Sequence, residues 1–229
     1  MALNLGDAAP NFKAVSTSGE IDFYDWLGDN WGILFSHPED YTPVCTTELG
    51  VVANLKQEFI GRNVKTIALS VDSLESHLGW IKDIENLFEG KVDFPIIADE
   101  NKEVAELYGM IHSNASTKFT VRSVFVIGPD KEIRLILTYP MAIGRNFDEI
   151  LRVIDALQLN ENYQVVTPAN WKNGDEVIID PSISDEESKV KFSKGFEPKK
   201  SYLRYTPQPG NHKNRHSETH EKALREAKP

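Results

Sequence analysis

The chain has 229 residues and carries 25 Lys and Arg against 35 Asp and Glu, a formal net charge of −10 at pH 7. That acidity disfavours nucleic acid and anionic membrane as main partners, since both repel it. Forty per cent hydrophobic residues without a long apolar run predict a soluble globular protein with no membrane span, built as one large domain or a main domain with an appendage. The opening Met1-Ala2-Leu3-Asn4-Leu5-Gly6-Asp7 has neither the basic n-region nor the apolar h-region of a signal peptide, so a cytoplasmic location is expected.

In chain order, Trp31-Gly32-Ile33-Leu34-Phe35-Ser36 is apolar and β-prone, and Pro38 ends it. Thr42-Pro43 suits a helix start: Thr can cap free N–H groups and Pro fits the first helical position. The pattern continues through Phe59, and Gly61 closes it. A strand follows over Val64–Val71, then a helix over about Ser73–Phe88 with Leu74, Leu78, Ile81 and Ile84 at helical spacing. Next come a short strand, Phe94–Ala98, and a short helix, Lys102–Tyr108. Strands at Thr120–Ile127 and Glu132–Thr138 flank the turn Gly128-Pro129-Asp130-Lys131, and a helix over Phe147–Leu159 closes the module. That order predicts an α/β protein with a mixed central β-sheet flanked by helices. Beyond Asn160 the alternation fades.

Cys45 is the only cysteine, so it cannot be half of an intramolecular disulfide. It is a core thiol, a metal ligand or a nucleophile, and an unpaired thiol fits a reducing compartment. It falls in the first turn of its helix, in the slot a capping-box glutamate often fills. A thiolate can use the same backbone donors and the same dipole field, so the position favours an anion. Arg122 stands out for a different reason. It lies in the apolar run Val121-Arg122-Ser123-Val124-Phe125-Val126-Ile127, where a guanidinium needs an anionic partner. A structural carboxylate is one candidate for that partner.

The string Pro38-x-x-x-Thr42-x-x-Cys45 resembles the active-site pattern of the peroxiredoxins. Phe35-Ser36-His37-Pro38 and Thr42-Pro43-Val44-Cys45-Thr46-Thr47-Glu48-Leu49 are closest to the 1-Cys subgroup. The resemblance continues through Asp72-Ser73, Glu75-Ser76-His77, Trp80, Pro95–Glu100, Val121–Ile127, Tyr139-Pro140, Gly144–Arg152 and Lys199–Arg204. It implies a thioredoxin-like fold with peroxiredoxin insertions over 1–165 and a C-terminal extension over 166–207 that forms a smaller dimerisation domain. A polar, disordered tail is expected over 208–229. In that tail His212, His216 and His220 have helical i, i+4, i+8 spacing, but a solvated tail is favoured over a metal site.

What the resemblance implies for function is a thiol peroxidase without a cofactor. Cys45 would be the peroxidatic nucleophile, oxidised by hydrogen peroxide or organic hydroperoxides to a sulfenic acid. Thr42 and Arg122 would polarise the peroxide, Pro38 would shield the sulfur, and Glu48 would hold Arg122 and Arg145. His37 would border the pocket, in either a substrate-binding or a structural role. With no second cysteine, the reductant must be external: glutathione, a partner thiol protein or ascorbate. A homodimer is expected. The alternative from another class is a peroxide sensor or chaperone-like binding protein, which turnover with reductant separates from a peroxidase.

Some animal members of the subgroup also hydrolyse phospholipids through a Gly-Asp-Ser-Trp-Gly serine, with a histidine six residues earlier. Here the pentapeptide is Gly28-Asp29-Asn30-Trp31-Gly32 and the earlier position is Tyr24, although Asp130 matches the acidic member. An amide cannot replace a hydroxyl nucleophile, nor a phenol an imidazole base at neutral pH. The chain is therefore expected to lack this activity. Calcium-independent phospholipid hydrolysis that disappears in Asn30→Ala would overturn the expectation.

Overall fold

A computed structural model of the chain describes residues 3–210. It divides into two compact units, the first ending at Phe147 and the second beginning at Asp148. The first unit opens with a hairpin, β1 (Lys13–Ser16) and β2 (Gly19–Asp22), and a short helix α1 (Phe23–Leu27). It continues through β3 (Trp31–Ser36), α2 (Pro43–Asn54), α3 (Lys56–Ile60), β4 (Val64–Ser70), α4 (Leu74–Leu87), β5 (Ile96–Ala98), α5 (Glu103–Leu107), β6 (Arg122–Ile127) and β7 (Ile133–Tyr139). The seven strands form one sheet in the order β2-β1-β5-β4-β3-β6-β7. β3, β4 and β5 pair in parallel, β6 adds antiparallel to β3, and β7 adds antiparallel to β6. This is the mixed sheet expected from the sequence.

β3 and β6 are buried at every residue, as strands paired on both sides and covered on both faces must be. Their apolar side chains reach a core that includes Leu34, Ile67, Leu69, Phe125 and Ile127, with Tyr108 edge-on to Phe125 at 5.2 Å. At the end of the β3–β6 ladder, side chains take over from backbone pairing. Ser36 Oγ donates to the Val121 carbonyl at 2.6 Å and accepts from the Ser123 N–H at 3.1 Å. Thr120 Oγ1 donates to the His37 carbonyl at 2.7 Å. These bonds fix the point where the chain leaves β3 for α2.

Several local expectations change. The helix expected to run to Phe59 breaks at Leu55 and resumes as α3. Gly61 ends it in right-handed geometry, and the left-handed residue is Asn63, at φ 56°. On α4 the buried stripe is His77, Trp80 and Ile84, while Leu78 is 46% exposed. The indole of Trp80 has more apolar surface to hide than a leucine, so the helix turns that face inward. The hairpin and α1 escaped the sequence reading altogether.

The second unit takes up nearly all of α6 (Phe147–Tyr163), so the division falls earlier than the 165/166 boundary expected from the sequence. The C-terminal part of α6 accounts for this: Leu159 packs with Val165, Trp171, Val177, Ile179, Ile183 and Phe192, and Ala156 and Tyr163 lie against that cluster. Four short strands, β8 (Val165–Val166), β9 (Val177–Ile179), β10 (Glu197–Lys200) and β11 (Leu203–Thr206), form a second sheet in the order β10-β11-β9-β8. Between β9 and β10 lies α7 (Asp185–Lys191), begun by a capping box of Ser184 and Glu187. Gln208 belongs to this unit and not to a tail. It is buried, accepting from the Gly174 N–H at 2.6 Å and donating to Asn173 Oδ1 at 2.8 Å. His212, His216 and His220 lie outside the described residues.

Gly50 ties α2 to the loop after α4: a Cβ there would meet the Phe88 ring at 2.3 Å. Alanine improves helix propensity by up to about 1 kcal/mol, but overpacking costs about 1–3 kcal/mol. Gly50→Ala is expected to lower the melting temperature, and a stabilised variant would show that Phe88 is free to move.

Candidate active site

Cys45 sits in the first turn of α2 and is fully buried. Thr42 occupies the N-cap position in extended geometry, followed by Pro43, but its side chain does not cap. Its hydroxyl instead donates to the Glu39 carbonyl at 2.8 Å, which ties off the loop. The helix-start amides are therefore not taken by the residue expected to satisfy them, and they remain as donors at the Cys45 turn.

Arg122, the first residue of β6, reaches this turn from the neighbouring strand. Its Nη1 donates to Cys45 Sγ at 3.3 Å and to Glu48 Oε2 at 2.8 Å, and its Nε donates to the Met141 carbonyl at 2.9 Å. Glu48 lies one turn beyond Cys45 on the same buried face of α2. Arg145, from the loop after β7, grips Glu48 with three donors: its own N–H at 2.7 Å, Nε at 2.9 Å and Nη2 at 2.6 Å. Its Nη1 spans the carbonyls of Ser36 at 2.8 Å and Ser123 at 3.0 Å. The guanidinium also lies over the rings of Phe35 at 5.1 Å and Phe147 at 5.7 Å. A loop arginine that could have been a surface charge is instead buried.

Burial alone would raise the Glu48 carboxyl, but the Arg145 hydrogen bonds and the charges of both arginines outweigh it and hold the group below its ordinary value. Burial likewise lowers Arg145, against the pull of Glu48. The geometry thus gathers five of the sequence-selected residues, Thr42, Cys45, Glu48, Arg122 and Arg145, at one helix start. Pro38 is buried in the loop leading to it. His37 is fully buried, its Nε2 2.9 Å from Asp40 Oδ1 and its ring 5.2 Å from that of Trp80. Trp80 Nε1 donates to Thr46 Oγ1 at 3.2 Å, so the His37 side of the site is linked to the residue after Cys45.

Sequence reasoning did not single out Asp40 and His77, which complete a buried group with His37. Their ligating atoms lie within 4.8 Å of one another, the one such group among the described residues that has the composition to hold a metal ion. The contacts within it are hydrogen bonds of 2.7–2.9 Å between ring nitrogens and carboxylate oxygens. His77 was legible in principle: with Trp80 and Ile84 it follows i, i+3, i+7 spacing on α4.

A solvent-excluded sulfur at a helix N-terminus, held by an arginine from the adjoining strand, defines a cysteine-dependent redox site on an α/β sheet. Residues 5–136 match the model of the AhpC/TSA family, and residues 156–195 match the C-terminal domain of 1-Cys peroxiredoxin. The 1-Cys peroxiredoxin of Dictyostelium discoideum is 55% identical over 207 residues, covering 90% of this chain and 86% of that protein. Peroxiredoxin-6 of Homo sapiens is 55% identical over 220 residues, covering 90% of this chain and 98% of that protein. Among solved structures, a Cys-to-Ser mutant of the peroxiredoxin 6 of Arenicola marina matches with a TM-score of 0.85 and 49% identity, covering 92% of this chain and 100% of that one. A yeast mitochondrial 1-Cys peroxiredoxin, solved in connection with thiol resolution via glutathione/thioredoxin systems, matches with a TM-score of 0.84 and 54% identity, covering 90% of this chain and 99% of that one. The chain belongs to the peroxiredoxin family, in its 1-Cys branch, with the thioredoxin-like fold that the sequence implied.

Glu48 carries a depressed carboxyl, so its contribution to stability is full above its ordinary value of 4.5 and is lost as pH falls through the lower folded value. Glu48→Gln leaves two buried guanidiniums around a neutral amide and is expected to cost about 3–5 kcal/mol at neutral pH. In urea titrations the gap between wild type and variant should narrow as the pH is taken below that value. A constant gap would place the stabilisation elsewhere.

Proposed function

We propose that the chain is a 1-Cys thiol peroxidase that reduces hydrogen peroxide and organic hydroperoxides through Cys45. The observation that carries this reading is the contact between Arg122 Nη1 and Cys45 Sγ at 3.3 Å, inside a site closed by Glu48 and Arg145. Two guanidiniums and one carboxylate leave one excess positive charge, which the sulfur balances as an anion. The Cys45 thiolate attacks one peroxide oxygen, the O–O bond breaks as the S–O bond forms, and the other oxygen leaves as alkoxide or hydroxide and takes up a proton. Sulfur is oxidised by two electrons to the sulfenic acid, and the peroxide is reduced by the same two.

Ionisation alone is too small an effect. A free thiol of pKa about 8.5 is roughly 3% ionised at pH 7, so full ionisation is worth about 30-fold. The rest is assigned to polarising the leaving oxygen, by the Arg122 guanidinium and the helix-start amides where charge develops. Thr42, whose hydroxyl rests on the Glu39 carbonyl, presents its oxygen toward the same step, and Pro38 limits access. His37 is assigned to the same neighbourhood, its ring 5.2 Å from that of Trp80, whose N–H is donated to Thr46. With Cys45 the only cysteine, the sulfenic acid is returned by an external thiol or other reductant, and excess peroxide drives it to the inactive sulfinic acid.

A homodimer and a cytoplasmic location complete the reading. Among the described residues no helix is long and apolar enough to cross a membrane. The proposed lack of serine-type lipase chemistry is supported by the ties of the residues concerned. Asn30 Nδ2 donates to the Leu27 carbonyl at 2.8 Å, Tyr24 Oη donates to the Ala9 carbonyl at 2.7 Å, and Asp130 pairs with Arg134.

Stopped-flow oxidation by hydrogen peroxide with intact-mass detection tests the whole reading. Wild type should gain one oxygen at Cys45 rapidly and reversibly with thiol, and Cys45→Ser should gain none. Arg122→Gln should slow the step by about 10²–10³-fold. Oxidation no faster than that of a free thiol would favour the sensor or binding alternative.

A further inference from the structure

A second buried polar cluster adjoins the Cys45 loop. Both oxygens of Asp40 are bonded: Oδ1 lies 2.9 Å from His37 Nε2, and Oδ2 lies 2.7 Å from His77 Nδ1. Oδ2 also accepts from Ser76 Oγ at 2.7 Å, and the Asp40 N–H donates to Asp72 Oδ2 at 3.0 Å. The other nitrogen of His77, Nε2, lies 3.1 Å from the Ile97 carbonyl. Among the described residues, His37 Nδ1 is the one buried side-chain nitrogen or oxygen without a partner.

Counting hydrogens decides what these contacts mean. A carbonyl oxygen only accepts, so His77 Nε2 carries a hydrogen. Each of the two ring–carboxylate contacts needs one more between its nitrogen and oxygen. Three hydrogens are thus shared by two imidazoles and one carboxylate, one more than two neutral rings supply. The cluster is electrically neutral as a whole, the state that burial favours. Burial pushes the Asp40 carboxyl up, yet the hydrogen bonds from His37 and His77 hold it well below the usual carboxylate range. The contacts of His77, one to a carbonyl and one to the carboxylate, place the additional hydrogen on that ring. His37 keeps its hydrogen on Nε2, toward Asp40, and Nδ1, which has no partner among the described residues to receive a hydrogen, keeps its lone pair; burial, which lowers the ring, acts in the same direction.

We propose that Asp40 and His77 are positioning residues for the peroxide reaction, which lock His37 in the tautomer with hydrogen on Nε2 and keep Nδ1 as a hydrogen-bond acceptor beside the Cys45 turn. The proposal rests on the peroxidase reading of Cys45, in which His37 is assigned to the neighbourhood of the sulfur. Arg122 and the helix-start amides are donors, whereas a hydroperoxide also carries an O–H that needs an acceptor. The Thr42 oxygen, whose own hydrogen goes to Glu39, is one acceptor; Nδ1 supplies a second on the His37 side, and the Asp40–His77 pair prevents the ring from presenting an N–H there instead. A carboxylate that sets an imidazole tautomer acts through the ring without touching the substrate.

The test is long-range ¹H–¹⁵N correlation of the imidazoles in the full chain, whose 6 histidines can be assigned by single His→Gln variants. His37 should appear neutral with a bare Nδ1, and His77 should carry hydrogen on both nitrogens. A hydrogen on His37 Nδ1, or a bare nitrogen on His77, would overturn the proposal. In Asp40→Asn the amide cannot accept from both rings as the carboxylate does. The His37 tautomer should then become mixed, and peroxide oxidation of Cys45 should slow by on the order of tenfold or more. A shifted tautomer with an unchanged rate, or a lost rate with an unchanged tautomer, would remove the positioning role. Should Asp40→Asn fail to fold, the wild-type spectra still decide. Should wild-type Cys45 react no faster than a free thiol, the peroxidase reading fails on that measurement, while the spectra test the tautomer independently.

Discussion

Glu48 is the charge on which the site depends. One buried carboxylate receives Arg122 from β6 and Arg145 from the loop after β7, and it rides on the same helix as Cys45. Its two oxygens set the distance between helix and sheet at the point where sulfur meets guanidinium. The Ser36 and Ser123 carbonyls held by Arg145 extend the same constraint into the ends of β3 and β6. Stability and chemistry share these atoms, since the contacts that neutralise the arginines also aim one of them at Cys45.

The two buried clusters follow one rule. Arg122, Arg145 and Glu48 leave one net positive charge beside the Cys45 sulfur. His37, Asp40 and His77 balance within themselves by sharing one hydrogen more than neutral rings supply. Low dielectric enforces both, because an unbalanced buried charge costs several kcal/mol. The indole of Trp80 touches both neighbourhoods: its ring centroid lies 5.2 Å from that of His37, and its N–H is donated to Thr46, the residue after Cys45.

The centre of the first unit was legible because β3 and β6 are largely apolar runs, unlike the polar hairpin β1–β2, and because much of the site falls within one short string of the sequence. Cys45 declared itself by being alone, and Arg122 by being charged among Val121, Val124 and Val126. Asp40 and His77 were harder to see. A carboxylate in a loop and a histidine in an amphipathic helix are ordinary locally, and only the approach of β5, with the Ile97 carbonyl beside His77, makes them a cluster. The same holds for α4, where the stripe Leu74–Leu78–Ile81 competed with His77–Trp80–Ile84 and tertiary packing chose the latter. In the second unit the strands are two to four residues long, too short for periodicity to register, although the Ser184–Glu187 capping box was present in the sequence.

The complete burial of Cys45 makes reactivity a matter of access. In this conformation a water-sized body cannot touch the residue, so a reactant reaches the sulfur only when the packing around it opens. Turnover therefore has two clocks, one for opening of that packing and one for bond exchange. A small molecule needs only a narrow gap, whereas a protein-sized reactant would need a wide one. A wider opening breaks more of the surrounding packing and is correspondingly rarer. Burial thus sorts reactants by size before any chemistry begins.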